Sequence, residues 1–258
     1  MTAPLTVGIL GTGRLGRALA GRLTPRLGLR LADADAATAA RLGRELGVPV
    51  DEPEKLASTC DVVLLCVPPE QIRPALLAAV GAARPGTTFV NTATSCPTGE
   101  LADDPRLRGV EVVGLKPVCQ YLAVTHRVPT VFVTGSARSV PLLRRVVGEI
   151  GTVLTGDESV VGPLNRAATL AALAACELFG AQARALTDDP RLIRAAVNSV
   201  LAGTAMEFPP DPANPYTSAL LTLLHGSTDA AAERPIRVND DGPGAVDVDD
   251  DGTAAGDR

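Results

Sequence analysis

Short apolar runs alternate with amphipathic segments along the first 155 residues. The run Leu5–Leu10 predicts a buried strand, and Leu15–Leu23 carries apolar residues at helical spacing before Pro25 and Gly28 interrupt it. Further strands are predicted at 29–32, 61–67, 87–91, 110–115, 130–134 and 152–154, with helices at 36–46, 71–80 and 137–150. Such alternation, with near-continuous apolar strands, predicts an α/β fold whose doubly wound, mainly parallel sheet is covered by helices on both faces.

After residue 155 the pattern becomes purely helical. The segment Asn165–Leu186 is rich in alanine and leucine, Arg191–Met206 continues in the same manner, and a final helix is expected near Thr217–Leu224. Beyond Gly226 the composition is dominated by Asp, Gly and Ala, which cannot offset the entropy of ordering. We therefore predict a sheet domain at 1–155, a smaller all-helical domain at 156–226 and a disordered acidic tail at 227–258.

The segment from Gly11 to Gly16 reads Gly-Thr-Gly-Arg-Leu-Gly and joins the first predicted strand to the first predicted helix. In that context the spacing is typical of a turn whose backbone N–H groups and helix dipole hold a pyrophosphate. Asp33 lies 20 residues after Gly13, at the end of the second strand, where it can accept hydrogen bonds from the adenosine ribose. We interpret the first domain as a Rossmann dinucleotide-binding domain; a glycine turn without a ligand is the alternative.

Asp33 also bears on the choice between NAD and NADP. Its carboxylate repels a 2′-phosphate, and Ala34 supplies no arginine to receive one, which favours NAD. Arg14 keeps NADP open, because a guanidinium in the turn can bind either the pyrophosphate or a 2′-phosphate. The predicted cofactor is therefore NAD or NADP, with NAD favoured.

Charge and composition exclude several other classes. The formal charge of −5 is concentrated in the tail, where nine acidic residues face three arginines, so the remainder is close to neutral. With four Phe, two Tyr and no Trp, the chain lacks the basic stripe and stacking aromatics of a nucleic-acid binder. Five cysteines without a Cys-x-x-Cys pair, and only two histidines, predict reduced thiols and no metal site. With no expected membrane span or signal segment, we expect a cytoplasmic protein.

Four segments carry a family resemblance: GILGTGRLGRALA, DVVLLCVPPEQI, PTVFVTG and GPLNRAATL. Over residues 5–185 the chain resembles the deazaflavin-dependent NADP oxidoreductases and their pyrroline-5-carboxylate reductase-like relatives. The resemblance implies that Val67-Pro68 lies beside the cofactor and that Leu115-Lys116 leads to its nicotinamide end. It also implies hydride transfer in a homodimer whose helical region completes the site. Asp33 and Ala34 depart from the deazaflavin branch, which usually has a small polar residue and an arginine there.

Candidate site residues lie at the predicted strand ends, where the loops Asn91–Ser95 and Lys116–Tyr121 are rich in functional groups. Lys116, one of two lysines among 24 basic residues, can donate a proton or bind a carboxylate; a solvated surface lysine is the alternative. Asn165 opens the long helix and can bind substrate or merely cap the helix. Cys119 and Tyr121 are weaker candidates, because an isolated cysteine is more often a small buried hydrophobe than a nucleophile and Tyr121 can merely pack. His126 has no identifiable partner. The predicted cofactor-binding residues are Gly11, Thr12, Gly13, Arg14, Leu15, Gly16, Asp33, Val67, Pro68, Asn91 and Thr92.

These features predict an NAD(P)-dependent oxidoreductase that acts on a small imine, carbonyl or flavin-like acceptor. A non-catalytic NAD(P) sensor is the first alternative, because the same fold can bind nucleotide without turnover. An arogenate- or prephenate-type dehydrogenase is the second, although it needs a histidine in the loop where Lys116-Pro117 stands. The expected partners are a small-molecule substrate and a second copy of the chain, with neither nucleic acid nor membrane.

Overall fold

This computed structural model describes residues 5–107, 109–211 and 213–228. Almost all of the predicted acidic tail lies outside these residues. The described chain divides into two compact units, and the division falls between Leu178 and Phe179, within one long helix. The domain boundary predicted at residue 155 stays a prediction.

A five-stranded parallel sheet forms the centre of the first unit, with strand order β2-β1-β3-β4-β5. Its strands are β1 Thr6–Leu10, β2 Gly28–Ala32, β3 Val62–Leu65, β4 Thr88–Asn91 and β5 Glu111–Gly114. The helices between them are α1 Arg14–Leu23, α2 Ala36–Leu46, α3 Pro53–Thr59, α4 Pro69–Val80 and α5 Thr98–Ala102. The predicted doubly wound α/β fold is confirmed.

Alternate residues of each central strand enter two separate hydrophobic cores. In β3, Val62 and Leu64 belong to the core that contains Leu19 of α1, whereas Val63 and Leu65 belong to the core that contains Ile72 of α4. Because successive side chains of a strand point to opposite faces, the two cores lie on opposite sides of the sheet. Burial on both faces explains why these strands are continuously apolar in sequence.

A second sheet follows the first, and the sequence did not predict it as a separate sheet. It consists of β6 Lys116–Val118, β7 Thr130–Thr134 and β8 Gly151–Thr155 in the order β6-β7-β8, with β6 antiparallel and β8 parallel to β7. The helices α6 Tyr121–Thr125 and α7 Val140–Val147 connect its strands. The chain leaves the first sheet after Gly114, and Lys116 begins a strand of the second sheet instead of lying in the predicted loop.

Helices make up the described chain after β8, as predicted. They are α8 Val161–Ala183, α9 Pro190–Ala195, α10 Ala202–Met206 and α11 Pro215–Thr228, with a π-helical turn at Ala196–Leu201 between α9 and α10. By length and composition alone, one described helical stretch, Glu158–Ala183, is apolar enough to cross a membrane. That is weak evidence, because soluble helices pass the same test and this stretch carries Arg166 and Glu177.

Candidate functional site

The glycine turn between β1 and α1 has the backbone that its sequence predicts. Gly11 has φ +102°, and a Cβ there would lie 2.6 Å from the Cys66 carbonyl oxygen. A Cβ at Gly16 would overlap the Gly11 carbonyl oxygen, whereas a Cβ at Gly13 would meet nothing within 4 Å. Gly11 and Gly16 are therefore required by packing within the turn. Gly13 instead leaves open space at the N-terminus of α1, where a pyrophosphate would fit.

Asp33 is bonded to the glycine turn in this structure. Its Oδ2 accepts from the backbone N of Thr12 at 2.5 Å and from the Thr12 hydroxyl at 2.7 Å, while its Oδ1 accepts from the Asp35 N at 2.9 Å. Asp33 thus joins the end of β2 to the turn, a role that the sequence did not predict. A carboxylate has about four acceptor positions, so it can still accept from a ribose hydroxyl.

The cavity beside Asp33 is acidic. Its volume is about 490 Å³, and it is lined by Asp33, Ala34, Ala36, Ala39, Val50, Asp51, Glu52, Pro53 and Lys55. Lys55 is the basic residue of this lining. Arg30, which is not part of the lining, pairs with Asp51 at 2.5 Å and neutralises part of its charge. A 2′-phosphate placed here would meet more negative than positive charge.

A groove of about 490 Å³ runs from the glycine turn along the ends of the strands. Six of the predicted cofactor-binding residues line it, namely Gly13, Arg14, Leu15, Val67, Pro68 and Thr92. Asn91 does not. Its side chain is fully buried, its Nδ2 donates to the Cys96 carbonyl at 2.9 Å, and its Oδ1 accepts from the Ala93 N at 3.0 Å. The predicted cofactor contact of Asn91 is not supported by this geometry, in which its amide shapes the loop after β4.

The aromatic and thiol candidates also lie along the groove. The Arg14 guanidinium lies over the Tyr121 ring, 5.7 Å from its centroid, so Tyr121 holds the arginine of the turn. Burial raises the pKa of the Cys119 thiol, and burial also raises the pKa of Cys66 to about 12. A thiol with a raised pKa stays protonated at neutral pH, which argues against Cys119 as a nucleophile.

A larger cavity of about 950 Å³ shares Thr94 and Asn165 with the groove. Its lining consists of Thr94, Ser95, Cys96, Pro97, Thr98, Gly99, Lys116, Gly135, Gly156, Asp157, Glu158, Ser159, Gly162, Pro163, Asn165, Arg166, Thr169 and Leu170. Asn165 does not open its helix as predicted, because α8 begins at Val161. Its Nδ2 donates to the Pro117 carbonyl at 2.9 Å, which fixes Asn165 between the two spaces.

Lys116 is buried, and the alternative of a solvated lysine is wrong. Its side chain is 1% exposed, and its Nζ donates to the carbonyl oxygens of Ala93 at 2.7 Å and Cys96 at 2.9 Å. Burial lowers the pKa of Lys116 from 10.5 to about 8, and the negative charge of Glu158 opposes that shift. Lys116 therefore holds the loop that lines both spaces, and it remains charged at neutral pH.

Glu158 is a residue of the cavity that the sequence did not single out. It follows β8, its Oε2 accepts from the Thr98 hydroxyl at 2.7 Å, and its Oε1 accepts from the Gly135 N at 2.8 Å. Its Oε2 is 3.9 Å from Lys116 Nζ. A Cβ at Gly114 would overlap the carboxylate, so a side chain there would force Glu158 out of this position. Its position after a strand, next to Gly156-Asp157, was the available signal.

Residues 6–94 match the family of coenzyme F420-dependent NADP oxidoreductases. The predicted resemblance is confirmed. The match covers β1 through β4, which include the glycine turn, Asp33 and the Val67-Pro68 pair. With it, the predicted enzyme class, an NAD(P)-dependent oxidoreductase, is also confirmed. No curated protein sequence matches the chain.

Solved structures show the same fold over most of the chain. A pyrroline-5-carboxylate reductase from Coxiella burnetii is 14% identical with a TM-score of 0.66, and the alignment covers 87% of this chain and 92% of that one. A Plasmodium falciparum pyrroline carboxylate reductase with NADP bound is 12% identical (TM-score 0.60, coverage 88% and 92%). An imine reductase variant from Myxococcus stipitatus with NAD⁺ is 18% identical (TM-score 0.56, coverage 90% and 75%). Because one of these structures holds NADP and another holds NAD⁺, the likeness leaves the choice of cofactor open.

Proposed function

We propose that this chain is a cytoplasmic, NAD-preferring reductase or dehydrogenase that transfers hydride between nicotinamide and a small imine, carbonyl or flavin-like acceptor. The observation that carries the proposal is the junction at Thr94 and Asn165, where the groove along the glycine turn meets the larger cavity. A nicotinamide cofactor supplies or accepts the hydride. The chain's own residues hold the reactants together: Thr94 and Asn165 lie where the two spaces meet, and Lys116 fixes the loop between them.

The preference for NAD rests on the acidic cavity beside the glycine turn. Asp33, Asp51 and Glu52 line it together with Lys55, and Arg30 pairs with Asp51, so a 2′-phosphate would still meet more negative than positive charge. Asp33 also accepts from Thr12, which keeps the carboxylate at the turn. The cations that could receive a 2′-phosphate are Lys55 of this cavity and Arg14, whose guanidinium lies over Tyr121 and lines the groove.

The proposed partner is a second copy of the chain, with neither nucleic acid nor membrane. The support is α8, where nearly every residue from Pro163 to Leu178 is exposed although the helix is rich in alanine and leucine. A helix of this composition is normally covered, and its small residues would let another helix approach closely. The cavity residues Leu170 and Thr169 lie on this helix, so a second copy would lie beside the cavity.

A fluorescence titration with NADH and NADPH tests the proposal. We expect NADH to bind more tightly than NADPH. The variant Gly13→Val should lose both cofactors, because its side chain would enter the space left for the pyrophosphate. Gly21→Val is the matched control, since Gly21 lies on α1 away from the turn and a Cβ there would also meet nothing within 4 Å. If neither cofactor binds the parent chain, the proposed function is wrong.

A nucleotide sensor is the second candidate, and one observation favours it. The Lys116 ammonium already donates to two backbone carbonyl oxygens, so the best candidate for a proton donor is engaged in the loop. A sensor would bind NADH as above yet oxidise it with none of a panel of imines, ketones and flavins. Turnover with any of these acceptors would exclude the sensor.

A further inference from the structure

Four charged side chains line the larger cavity, and they differ in depth. Asp157 and Arg166 are exposed residues of opposite charge, so solvent weakens their fields. Lys116 and Glu158 are the inner pair, with side chains 1% and 17% exposed. Of this inner pair, Glu158 is the one with appreciable surface that a ligand can touch.

The Glu158 carboxylate is held in one orientation before any ligand arrives. Thr98 donates to one oxygen at 2.7 Å and the Gly135 N–H donates to the other at 2.8 Å. Gly114 leaves the space that the carboxylate occupies, because a Cβ there would overlap it. Hydrogen bonds from two separate segments therefore fix a carboxylate in the cavity wall. A charge held in one place in this way interacts strongly with a bound charge.

Lys116 forms an ion pair with this carboxylate but does not occupy its acceptor positions. Its Nζ donates to the carbonyl oxygens of Ala93 and Cys96 at 2.7 and 2.9 Å, and it lies 3.9 Å from Glu158. That last distance is longer than a hydrogen bond, so the carboxylate keeps acceptor capacity for a ligand. Lys116 is accordingly a positioning residue of the loop that contains Ala93 and Cys96.

We propose that Glu158 is the residue that contacts the reacting group, and that it selects a cationic nitrogen, an iminium or its amine product, over a neutral or anionic group. The inference rests on the proposed function and chooses among the acceptors that it leaves open. A carboxylate beside an imine nitrogen stabilises the protonated, electrophilic form. Beside a carbonyl it would oppose the negative charge that hydride addition places on oxygen.

The reaction balances with the reduced nicotinamide as the named reductant. The iminium carbon accepts the hydride, the π electrons of the C=N bond become the lone pair on nitrogen, and the neutral amine then takes a proton from solvent. Glu158 remains a carboxylate throughout, so its role is electrostatic and needs no proton relay.

Binding of matched small probes by the ¹⁵N-labelled full chain tests this assignment at pH 7.5. The probes are pyrrolidine, which is cationic, cyclopentanol, which is neutral, and cyclopentanecarboxylate, which is anionic. The amide of Gly135 is a local reporter because it donates to Glu158. We expect pyrrolidine to bind at least about tenfold more tightly than the other two and to shift the Gly135 signal, as a charge-assisted hydrogen bond would.

Three variants separate contact from structure. Glu158→Gln should lose the preference for the amine, whereas Glu158→Asp should keep the preference with weaker binding. Glu149→Gln, an exposed glutamate paired with Arg26, should leave the preference unchanged. Equal binding of the three probes overturns the assignment, and so does a preference for the amine that persists in Glu158→Gln. If the glutamine variant does not fold, Glu158→Asp takes its place, and amine binding as tight as in the parent chain overturns the assignment.

The outcome can be told apart from failure of the proposed function. Each probe is titrated into the chain with and without NAD⁺, and NADH binding is measured on the same sample. If the amine is selected but neither cofactor binds, the cavity assignment stands and the oxidoreductase proposal fails. If the cofactors bind and the amine is not selected, the cavity assignment fails and the oxidoreductase proposal stands.

Discussion

At the scale of single residues, burial decides what each candidate can do. The sequence marked Lys116 as a group at a strand end but could not tell whether it was solvated. In the structure its ammonium is enclosed and holds the carbonyl oxygens of Ala93 and Cys96, which lie in the loop between groove and cavity. Burial that lowers the pKa of Lys116 to about 8 also makes its charge sensitive to mildly alkaline pH.

This shift predicts how Lys116 affects stability. Between about pH 8 and pH 10.5 the unfolded chain holds a proton on Lys116 that the folded chain has released. Stability rises with pH wherever the unfolded state binds more protons. The free energy of unfolding of the parent chain relative to Lys116→Met should therefore rise across this window, by up to about 3 kcal/mol for a shift of this size. Urea unfolding at pH 7, 8, 9 and 10 measures it.

Lys55→Met is the matched control, because it makes the same substitution at the other lysine, which is exposed. Its effect should stay within about 0.5 kcal/mol and not change with pH, as is usual for surface substitutions. A difference for Lys116→Met that is flat or falls with rising pH would mean that the lysine is not buried as a charge.

At the scale of elements, the sequence predicted the parts that depend on local pattern. The β1–α1–β2 unit, its glycine turn and Asp33 follow from strand periodicity, glycine spacing and chain order, and all are present. The strand β6 was missed because it has three residues and contains Pro117, and proline argues against a strand except at an edge. β6 is an edge strand of its sheet, which is why proline is tolerated.

The sequence could not predict that Lys116 and Glu158 lie side by side in the cavity. Glu158 and Lys116 come from two different strand ends of the second sheet, and the Glu158 carboxylate also contacts Thr98 from α5. No local spacing encodes that meeting. Asn91 lies at a strand end, as the sequence predicts. Its amide, however, bonds to Cys96 and Ala93 within the loop after β4, and position at a strand end does not reveal such bonds.

The contact between β2 and the glycine turn gives the second prediction. Asp33→Ser should lower the ratio of the NADPH to the NADH dissociation constant by about tenfold or more, because a carboxylate no longer faces the 2′-phosphate. Fluorescence titration of both cofactors measures the ratio. Thr12→Val is the control, since it removes the hydroxyl that donates to Asp33 but keeps the charge. It should weaken both cofactors equally, and an unchanged ratio in Asp33→Ser would show that Asp33 does not discriminate at the ribose.

At the scale of the whole molecule, the described chain leaves much apolar surface uncovered. Within the first unit, four leucines of α8 are exposed: Leu164, Leu170, Leu173 and Leu178. Within the second unit, Leu192, Val200, Met206 and Phe208 are exposed as well. Soluble monomers rarely expose large apolar patches, so the exposed leucines of α8 are the candidate interface of the first unit.

We propose a second copy of the chain, rather than a lipid bilayer, as the partner of α8. Asn165 and Arg166 belong to the cavity lining, and Glu177 lies further along the same helix, so insertion into lipid would bury charge. We therefore expect sedimentation velocity at micromolar concentration to give twice the chain mass. Leu173→Glu, at a residue 57% exposed, should shift the chain to a monomer by placing a charge in the interface. Leu122→Glu, at an exposed leucine of α6, should leave the dimer intact. If the parent chain sediments as a monomer, the proposed dimer contact through α8 is wrong.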